Sequence, residues 1–507
     1  MKTASVFLAA ALFLLAADPS ASAQGACSWS SGAGGADSLV RALAVFDDGT
    51  GTALFAGGEF TVVGGVPANR IARWDGNYWS PLWSGANSSV SAMTVFDDGT
   101  GLALYAGGSF TVIGGVAANR IARRTGLVWS SLGSGVDSTV SALAVFDDGT
   151  GPAIYAGGTF TAAGAMAALH VARWDGTSWS PLGSGVSSSA ASVSALAVFD
   201  GGTGPALYVG GTFTSAGGVV VNNIARWDGS TWSPLGSGVT GTVRSLKVYD
   251  DGAGPALYVG GTFTSAGGVF ASNLASWDGA AWSSVPGGVS GNTNRVSDLT
   301  VYDDGGGPAL YAGGDFSFAG GAFASSIARW DGTSFTSVGG GVANGGGSTP
   351  GVQAMTVFDD GTGTRLFAGG SFTSAGGMPV NHIASWGCGG GISLAAAQAS
   401  PGSPLFLSNS NLTPGNRYYN VFSFDLCPGG AGAGPPGLLG LCATNVQPLL
   451  SQLLAPLGTP LIHFLAPASY VNWGPFSLGP ITADAVCFEF SGGTLGAVSP
   501  VIRITVQ

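Results

Sequence analysis

Residues 205–213 read Pro-Ala-Leu-Tyr-Val-Gly-Gly-Thr-Phe, and this pattern occurs seven times along the 507-residue chain, with small changes. Each copy is a short apolar run, a Gly-Gly pair and, two residues later, a Phe. The pairs are Gly57-Gly58, Gly107-Gly108, Gly157-Gly158, Gly210-Gly211, Gly260-Gly261, Gly313-Gly314 and Gly369-Gly370. Recurrence of this kind predicts an architecture built from repeated units.

An Asp-rich turn precedes each copy of the pattern. The turns begin at Phe46, Phe96, Phe146, Phe199, Tyr249, Tyr302 and Phe358. Their spacings are 50, 50, 53, 50, 53 and 56 residues. A period in this range is typical of propeller blades or solenoid turns.

Every unit divides into four strand-like segments. In the third unit, strand a covers 140–146, the turn 147–151 leads into strand b at 153–158, and strand c covers 171–174. Strand d starts at Trp179, after a Trp-Asp-Gly turn. Four antiparallel strands in each of seven units predict an all-β fold, a seven-bladed β-propeller.

The two ends of the repeat region complement each other. The seventh unit stops after strand c, whereas Cys27 and Trp29 precede the first strand a, where a strand d would lie. We therefore expect the N-terminal strand to complete the last blade and close the ring. Cys27 and Cys388 fall at neighbouring positions of that seam and predict a disulfide, with a stabilisation on the order of 5 kcal/mol from loop-closure entropy.

The remaining segments predict an exported protein with a second domain. Residues 1–23 have a Lys near the start, an apolar stretch and an Ala-Ser-Ala cleavage site, which is typical of a signal peptide. The propeller is expected over 24–388. The non-repetitive residues 389–507 predict a small β-sandwich-like domain in which Cys427 and Cys442 pair.

The charge composition limits the partners. The formal net charge is −11, and Lys2 and Lys247 are the only lysines. A nucleic acid or an anionic membrane surface requires a basic protein face, so we expect neither as a partner. After the signal peptide no apolar segment is long enough for membrane insertion.

Two parts of the repeat carry a family resemblance. The string from Ala206 to Thr214, followed by Asn223-Ile224-Ala225-Arg226-Trp227-Asp228, resembles kelch-type repeats, and most of all those of the fungal cortical cell-polarity marker family. The resemblance covers about 27–388. It implies a propeller used for binding and scaffolding, with galactose oxidase-like enzymes as a minority. Arg124-Thr125-Gly126 and Phe335 depart from the Trp pattern.

The loops between strands d and a, and between b and c, share one end of the predicted blades. All length differences between units fall in d–a loops, at 187–192, 290–295 and 343–351. Insertions collected on one face favour a binding surface, although tolerance of loop length explains them equally well. Candidate ligand-binding amides in these loops are Asn69, Asn119, Asn223, Asn273, Asn294, Asn344 and Asn381.

The opposite face carries the Asp-rich turns. Asp147, Asp148, Asp250 and Asp251 are calcium candidates, but they do not form an EF-hand loop, and solvated hairpin turns explain them as well. We expect no other cofactor. The Arg residues of strand c, such as Arg173, are expected to pair with a nearby Asp.

Catalytic residues are scarce. The chain has two glutamates, Glu59 and Glu489, one in each predicted domain, and three histidines, His170, His382 and His463, far apart in the repeat scheme. The sequence favours a secreted or cell-surface binding scaffold for an extracellular glycan or protein. An extracellular carbohydrate-active enzyme that uses propeller Asp residues, and a structural envelope component, remain as alternatives.

Overall fold

We analysed a computed structural model of the chain. It describes residues 27–31, 34–343, 351–361 and 363–388, together with the backbone of strands between 393 and 506. Residues Cys27–Cys388 form one compact unit. The described residues are all-β, and none of them belongs to a helix that could cross a membrane.

Residues Cys27–Cys388 build seven four-stranded antiparallel sheets, each in the order a-b-c-d. We number the sheets 1 to 7 by their a strands. The a strands are Val40–Asp47, Val90–Asp97, Val140–Asp147, Ser192–Asp200, Thr242–Asp250, Arg295–Asp303 and Val352–Asp359. The b strands are Thr52–Gly58, Leu102–Gly108, Pro152–Gly158, Pro205–Thr212, Pro255–Thr262, Pro308–Asp315 and Thr364–Gly370.

The outer half of each sheet is shorter. The c strands are Ile71–Trp74, Ile121–Thr125, Val171–Trp174, Ile224–Trp227, Leu274–Trp277, Ile327–Trp330 and Ile383–Cys388. The d strands of sheets 1 to 6 are Trp79–Pro81, Val128–Ser131, Trp179–Pro181, Trp232–Pro234, Trp282–Ser284 and Phe335–Ser337.

The d strand of sheet 7 comes from the start of the described chain. Cys27–Ser30 pairs with Ile383–Cys388, in a register that sets Trp29 opposite Trp386 and Cys27 opposite Cys388. The two cysteines form a disulfide across 361 residues, as the sequence predicts.

The Gly-Gly pair of each b strand allows close packing. A Cβ on Gly57 would lie 2.7 Å from Cγ1 of Val90 in the next sheet, and one on Gly58 would lie 2.1 Å from the carbonyl oxygen of Leu39. Both distances are shorter than any normal contact, so a side chain at either position would push strands apart. The repeated Gly-Gly pair is therefore a packing requirement.

Apolar side chains fill the spaces between neighbouring sheets. The described residues include seven buried clusters, and each combines side chains of two consecutive sheets. One of them joins Val40 and Ala56 of sheet 1 to Phe358 and Ile383 of sheet 7. The alternation of buried and less buried residues in strand a, as in Val40–Asp47, matches a strand with one face in such a cluster.

The connection between strands b and c is a short β-hairpin, where the sequence predicts a loop. In sheet 4, Ser215–Ala216 pairs with Val219–Val220 around Gly217 and Gly218, whose φ angles are 57° and 81°. Two successive positive φ angles suit a tight hairpin turn of two glycines. The other hairpins are Val62–Val63 with Val66–Pro67, Val112–Ile113 with Val116–Ala117, Ala162–Ala163 with Met166–Ala167, Ser265–Ala266 with Val269–Phe270, Phe318–Ala319 with Ala322–Phe323 and Ser374–Ala375 with Met378–Pro379.

The d–a segments add a third strand or a bridge to these hairpins. Val186–Ser187 pairs with Ser215–Ala216, Val289–Ser290 pairs with Phe318–Ala319, and Val342–Ala343 pairs with Ser374–Ala375. In sheets without an insertion, a single bridge such as Ala36 to Val63 connects the d–a segment to the hairpin. We call the ends of the sheets with these hairpins the hairpin face, and the opposite ends, with the a–b and c–d turns, the turn face.

Residues beyond Gly389 belong to a second compact unit. The described strands are Ser393–Gln398, Leu405–Ser410, Arg417–Ser423, His463–Leu465, Val471–Phe476, Ile481–Ser491, Thr494–Val498 and Ile502–Val506. They form a three-stranded and a five-stranded antiparallel sheet. Cys427 and Cys442 lie outside the described residues.

Candidate functional site

The first Asp of each a–b turn is used by its own turn. Oδ1 of Asp147 accepts hydrogen bonds from the backbone N–H of Gly149 at 2.9 Å and of Gly151 at 3.0 Å. Asp250 accepts from Gly252 and Gly254 in the same way. These carboxylates therefore stabilise the turns in which they lie.

The second Asp of the turn connects strands of its sheet. Oδ2 of Asp148 accepts a hydrogen bond from the hydroxyl of Tyr155 at 2.9 Å and lies 3.2 Å from Nε of Arg173. Asp251 likewise accepts from Tyr258. The predicted pairing of the strand-c Arg residues with Asp is confirmed for Arg73, Arg123, Arg173, Arg226 and Arg329.

The calcium candidates are thus all engaged in turn or sheet contacts. Within the described part of the chain, no group of three or more His, Cys, Asp or Glu side chains is placed to hold a metal ion. The Trp-Asp-Gly carboxylates are also capped. Asp175 accepts from the N–H of Thr177 and Ser178, and although burial opposes them, these bonds hold the pKa of Asp175 well below its usual range.

Sheet 2 departs from this scheme in a coordinated way. Arg124 replaces the Trp of strand c, and its side chain is buried and donates to Asp48 of sheet 1 at 2.9 Å. Sheet 1 has Phe55 where Tyr105 and Tyr155 provide a hydroxyl in sheets 2 and 3, and the guanidinium of Arg124 lies 5.5 Å from the ring centroid of Phe55. The Arg thus replaces the missing hydroxyl as the partner of Asp48.

On the hairpin face, most of the predicted amides connect neighbouring loops. Nδ2 of Asn69 donates to the carbonyl of Ser84 at 3.1 Å, and Asn119 donates to Ser134 at 3.0 Å. Asn273 is buried, accepts from the N–H of Phe263 and donates to Val289. Asn223 has the same two kinds of contact.

The other predicted amides occupy varied places. Asn294 lies in the d–a segment of sheet 6 with a φ of 52°, and its backbone N–H donates to Gly291. The carbonyl of Asn381 accepts from the N–H of Ala36. Asn344 lies outside the described residues. The structure therefore distributes the predicted amides around the hairpin face without gathering them into one site.

The hairpin tips of three consecutive sheets expose apolar side chains. Val220, Phe270 and Phe323 are 79%, 75% and 64% exposed. The same position holds Pro67, Ala117, Ala167 and Pro379 in the other sheets. Phe318 packs edge-on against Phe323, with the ring centroids 6.1 Å apart. We call Val220, Phe270, Phe318 and Phe323 the tip patch.

The a strands line a cavity of about 280 Å³. Three consecutive residues of six a strands contribute to its wall, together with Ser297 and Asp298 of sheet 6, and they lie near the strand's start, towards the hairpin face. The second lining residue of each strand is Ala42, Ala92, Ala142, Ala195, Ser245, Asp298 or Ala354. At this position sheets 5 and 6 are thus polar, whereas the other sheets have Ala.

Asp298 connects three sheets across this wall. Its Oδ2 accepts from the N–H of Met355 at 2.6 Å, and its Oδ1 accepts from the N–H of Leu299 at 2.9 Å and the hydroxyl of Ser245 at 3.3 Å. Removal from water raises the pKa of Asp298 to about 6, against the opposing effect of these hydrogen bonds. The sequence signal for Asp298 is its replacement of the Ala found at this position in five other units.

Residues 177–357 match the family model described as the Rax2 C-terminal beta propeller domain. The chain therefore contains a β-propeller related to that family. This agrees with the cortical-marker resemblance of the repeats. The matched region runs from strand d of sheet 3 to strand a of sheet 7, and so includes the tip patch and Asp298.

The other comparisons add little to this. None of the curated proteins compared with the chain matches it. Among solved structures, the chain is similar to the extracellular domain of a one-component system from B. thetaiotaomicron, at 10% identity and a TM-score of 0.37. The similarity covers 93% of this chain and 57% of that one.

Proposed function

We propose that the chain is a secreted or cell-surface scaffold in which a closed seven-bladed propeller binds a partner protein or glycan on its hairpin face. In this proposal residues 1–23 are a signal peptide, 24–388 form the propeller and 389–507 form a β-rich attachment or contact domain. The cortical-marker resemblance and the match to the related propeller family support an extracellular or surface location and a binding role.

Contacts between the first and seventh sheets support the closed ring. A Cβ on Gly369 of sheet 7 would lie 2.4 Å from Cγ1 of Val40 in sheet 1, which is the contact that Gly57 makes with Val90. Sheet 7 thus meets sheet 1 as sheet 1 meets sheet 2. In a ring every sheet packs against two neighbours, and the Cys27–Cys388 disulfide fixes the last blade.

The observation that carries the binding role is the tip patch. Exposed apolar side chains recur at the tips of three adjacent hairpins, with Phe318 and Phe323 in contact, and such a concentration favours an interaction surface there. The described carboxylates of the turn face, in contrast, are engaged by turn backbone, Tyr and Arg groups, and they give no support to the enzymatic alternative. A protein with an apolar surface suits the patch best, and aromatic rings such as Phe270 and Phe323 also suit a sugar face.

Retention of the full chain on envelope proteins and polysaccharides tests this role. We expect saturable retention that is lost in F270D/F323D, because a charge at each tip opposes burial of the patch. The matched control is Y78D, which changes a side chain that is 74% exposed on the turn face. Retention equal in both variants would contradict the assignment to the hairpin face, and release of soluble sugar would favour the enzymatic alternative.

A further inference from the structure

Two arginines near the start of adjacent a strands differ from the paired arginines of the other sheets, although Asp315 lies opposite Arg295 in the strand register. Arg244 lines the cavity in sheet 5 and is exposed, and Arg295 opens strand a of sheet 6. Among the described residues neither forms an ion pair, and Nε of Arg295 is buried without a hydrogen-bond partner. Arg41, on the same wall in sheet 1, lies 2.6 Å from Glu59.

The local electrostatics favour an anion. Partial desolvation of the guanidinium, in a residue that is otherwise exposed, and the positive charge of Arg295 both lower the pKa of Arg244, so a counter-charge beside Arg244 would stabilise it. This occurs in a chain with a net charge of −11, where carboxylates are plentiful. Residues 344–350, which precede strand a of sheet 7, contain neither Asp nor Glu. An anion between the arginines would remove the repulsion.

The same wall already binds one carboxylate, that of Asp298. Two backbone N–H groups, of Leu299 and Met355, donate to it. Leu299 and Met355 pair with their b strands at the same register position as Leu43 and Leu143 do with theirs. The backbone N–H groups at these equivalent positions therefore have the same direction. The wall therefore offers donors to anions.

A further donor lies beside Asp298. The hydroxyl of Ser297 is buried, lines the cavity and has no hydrogen-bond partner among the described residues. An unsatisfied buried hydroxyl is costly unless a ligand or water completes its hydrogen bonds. Ser297 and Arg244 occupy equivalent positions in adjacent sheets, because each is the first lining residue of its a strand.

We propose that the cavity binds the carboxylate group of a ligand, held by the guanidinium of Arg244 and the hydroxyl of Ser297, with Arg295 adding positive charge. The planar guanidinium matches a carboxylate with two parallel hydrogen bonds. A cavity of about 280 Å³ accepts a terminal group such as an acidic sugar or a chain-terminal residue, not a polymer segment. The inference rests on the proposed binding function and adds a ligand class.

Calorimetric titration of the full chain tests this site with four probes. Sodium glucuronate and N-acetylglycine represent the two sources of a carboxylate, glucose is the neutral control, and inorganic phosphate is the competing anion. We expect one of the two carboxylates to bind, and we expect this binding to weaken at higher salt concentration. R244Q and R295Q should each weaken the binding by about ten-fold or more.

R70Q is the matched control because it removes the same charge from a b–c connection outside the cavity wall. We expect it to leave carboxylate binding unchanged. Absence of carboxylate binding, binding of phosphate alone, or equal weakening by R70Q would each overturn the proposal. Unfolding curves of each variant verify the fold.

The result is separable from the test of the scaffold role. Partner retention that persists in R244Q while carboxylate binding is lost supports both proposals. Retention of the partner without any carboxylate binding to the unsubstituted chain overturns the anion site alone. The F270D/F323D variant changes neither arginine, so its loss of retention tests the scaffold role independently of the anion site.

Discussion

The turn face and the hairpin face of the propeller are built from the same repeat, yet they treat their polar and apolar residues differently. On the turn face, Asp147 and Asp148 are satisfied inside their own sheet, and the pattern is nearly constant, with the Arg124 to Asp48 contact between sheets as a departure. On the hairpin face and in the adjoining cavity, the residues change from sheet to sheet, with Phe270, Asp298 and Arg244 as departures. The comparison teaches that constant positions hold the fold, whereas the departures from the repeat collect at the hairpin face and the cavity, where we propose binding.

The largest effect is expected at the seam on the turn face. Replacing Cys27 and Cys388 by Ser removes a link that spans 361 residues. We expect a loss of about 5 kcal/mol in the free energy of unfolding, because the unfolded chain gains the entropy of an open loop. Urea unfolding of both proteins under oxidising conditions measures it. Unchanged midpoints would show that the strand pairing alone closes the ring.

A buried ion pair on the turn face gives the next effect. Arg124→Gln removes the guanidinium that contacts Asp48, and both side chains are almost fully buried, at 2% and 1% exposed. We expect a loss of about 3 kcal/mol, since the buried Asp48 keeps the hydrogen bonds from Thr50 but only the more distant Arg73 as a charged partner. Arg173→Gln, whose side chain is 14% exposed, is the control with a smaller loss. Equal losses in urea unfolding would remove the distinction between sheet 2 and the others.

Asp298 tests the cavity wall through its pH dependence. Its pKa rises from 3.8 in the unfolded chain to about 6, so the folded state keeps a proton that the unfolded state has already lost. The stabilisation of the folded state by this proton is complete below pH 3.8 and is lost as the pH rises through 6. It amounts to at most about 3 kcal/mol in the free energy of unfolding.

The Asp residues of the turns act in the opposite direction. Their lowered pKa values give a stabilisation that is present at neutral pH and is lost on acidification below their usual range. Comparing D298A with the unsubstituted chain at pH 4 and pH 7 isolates the contribution of Asp298. We expect D298A to gain relative stability at pH 7, and a difference independent of pH would contradict the raised pKa.

The smallest effect on stability is expected at the hairpin tips. Phe270→Ser changes a side chain that is 75% exposed, so the free energy of unfolding should change by less than about 0.5 kcal/mol. Thermal unfolding measures this change. A loss of 2 kcal/mol or more would mean that the tip patch supports the fold and would blur the contrast between the two faces.

The sequence predicts the seven sheets and their strand order because each sheet is specified locally, by turns and apolar alternation within about 50 residues. The seam is also predictable, since Trp29 and Trp386 follow the repeat pattern at opposite ends. The b–c hairpins are missed because strands of two residues, such as Ser215–Ala216, are too short to show a period.

The site is much less predictable from sequence. Arg124 contacts Asp48, which lies in another sheet and is separated from it by 76 residues. Asp298 contacts Met355, at a separation of 57 residues. No local pattern specifies such partners. Asn273 looks like a free loop amide in the sequence, but it is buried between two loops that only the fold brings together. Comparing equivalent positions across the repeat is what identifies Asp298 and Phe270.

The pairing of Cys27–Ser30 with Ile383–Cys388 has a consequence for the order of assembly. The ribosome synthesises Cys27–Ser30 hundreds of residues before Ile383–Cys388. The first strand therefore has no pairing partner until the chain of the other six sheets has been synthesised. Joining the most distant parts of a chain is slow compared with local pairing. We therefore expect the earliest segment to take its place last, and formation of the Cys27–Cys388 disulfide to depend on an oxidant at that stage.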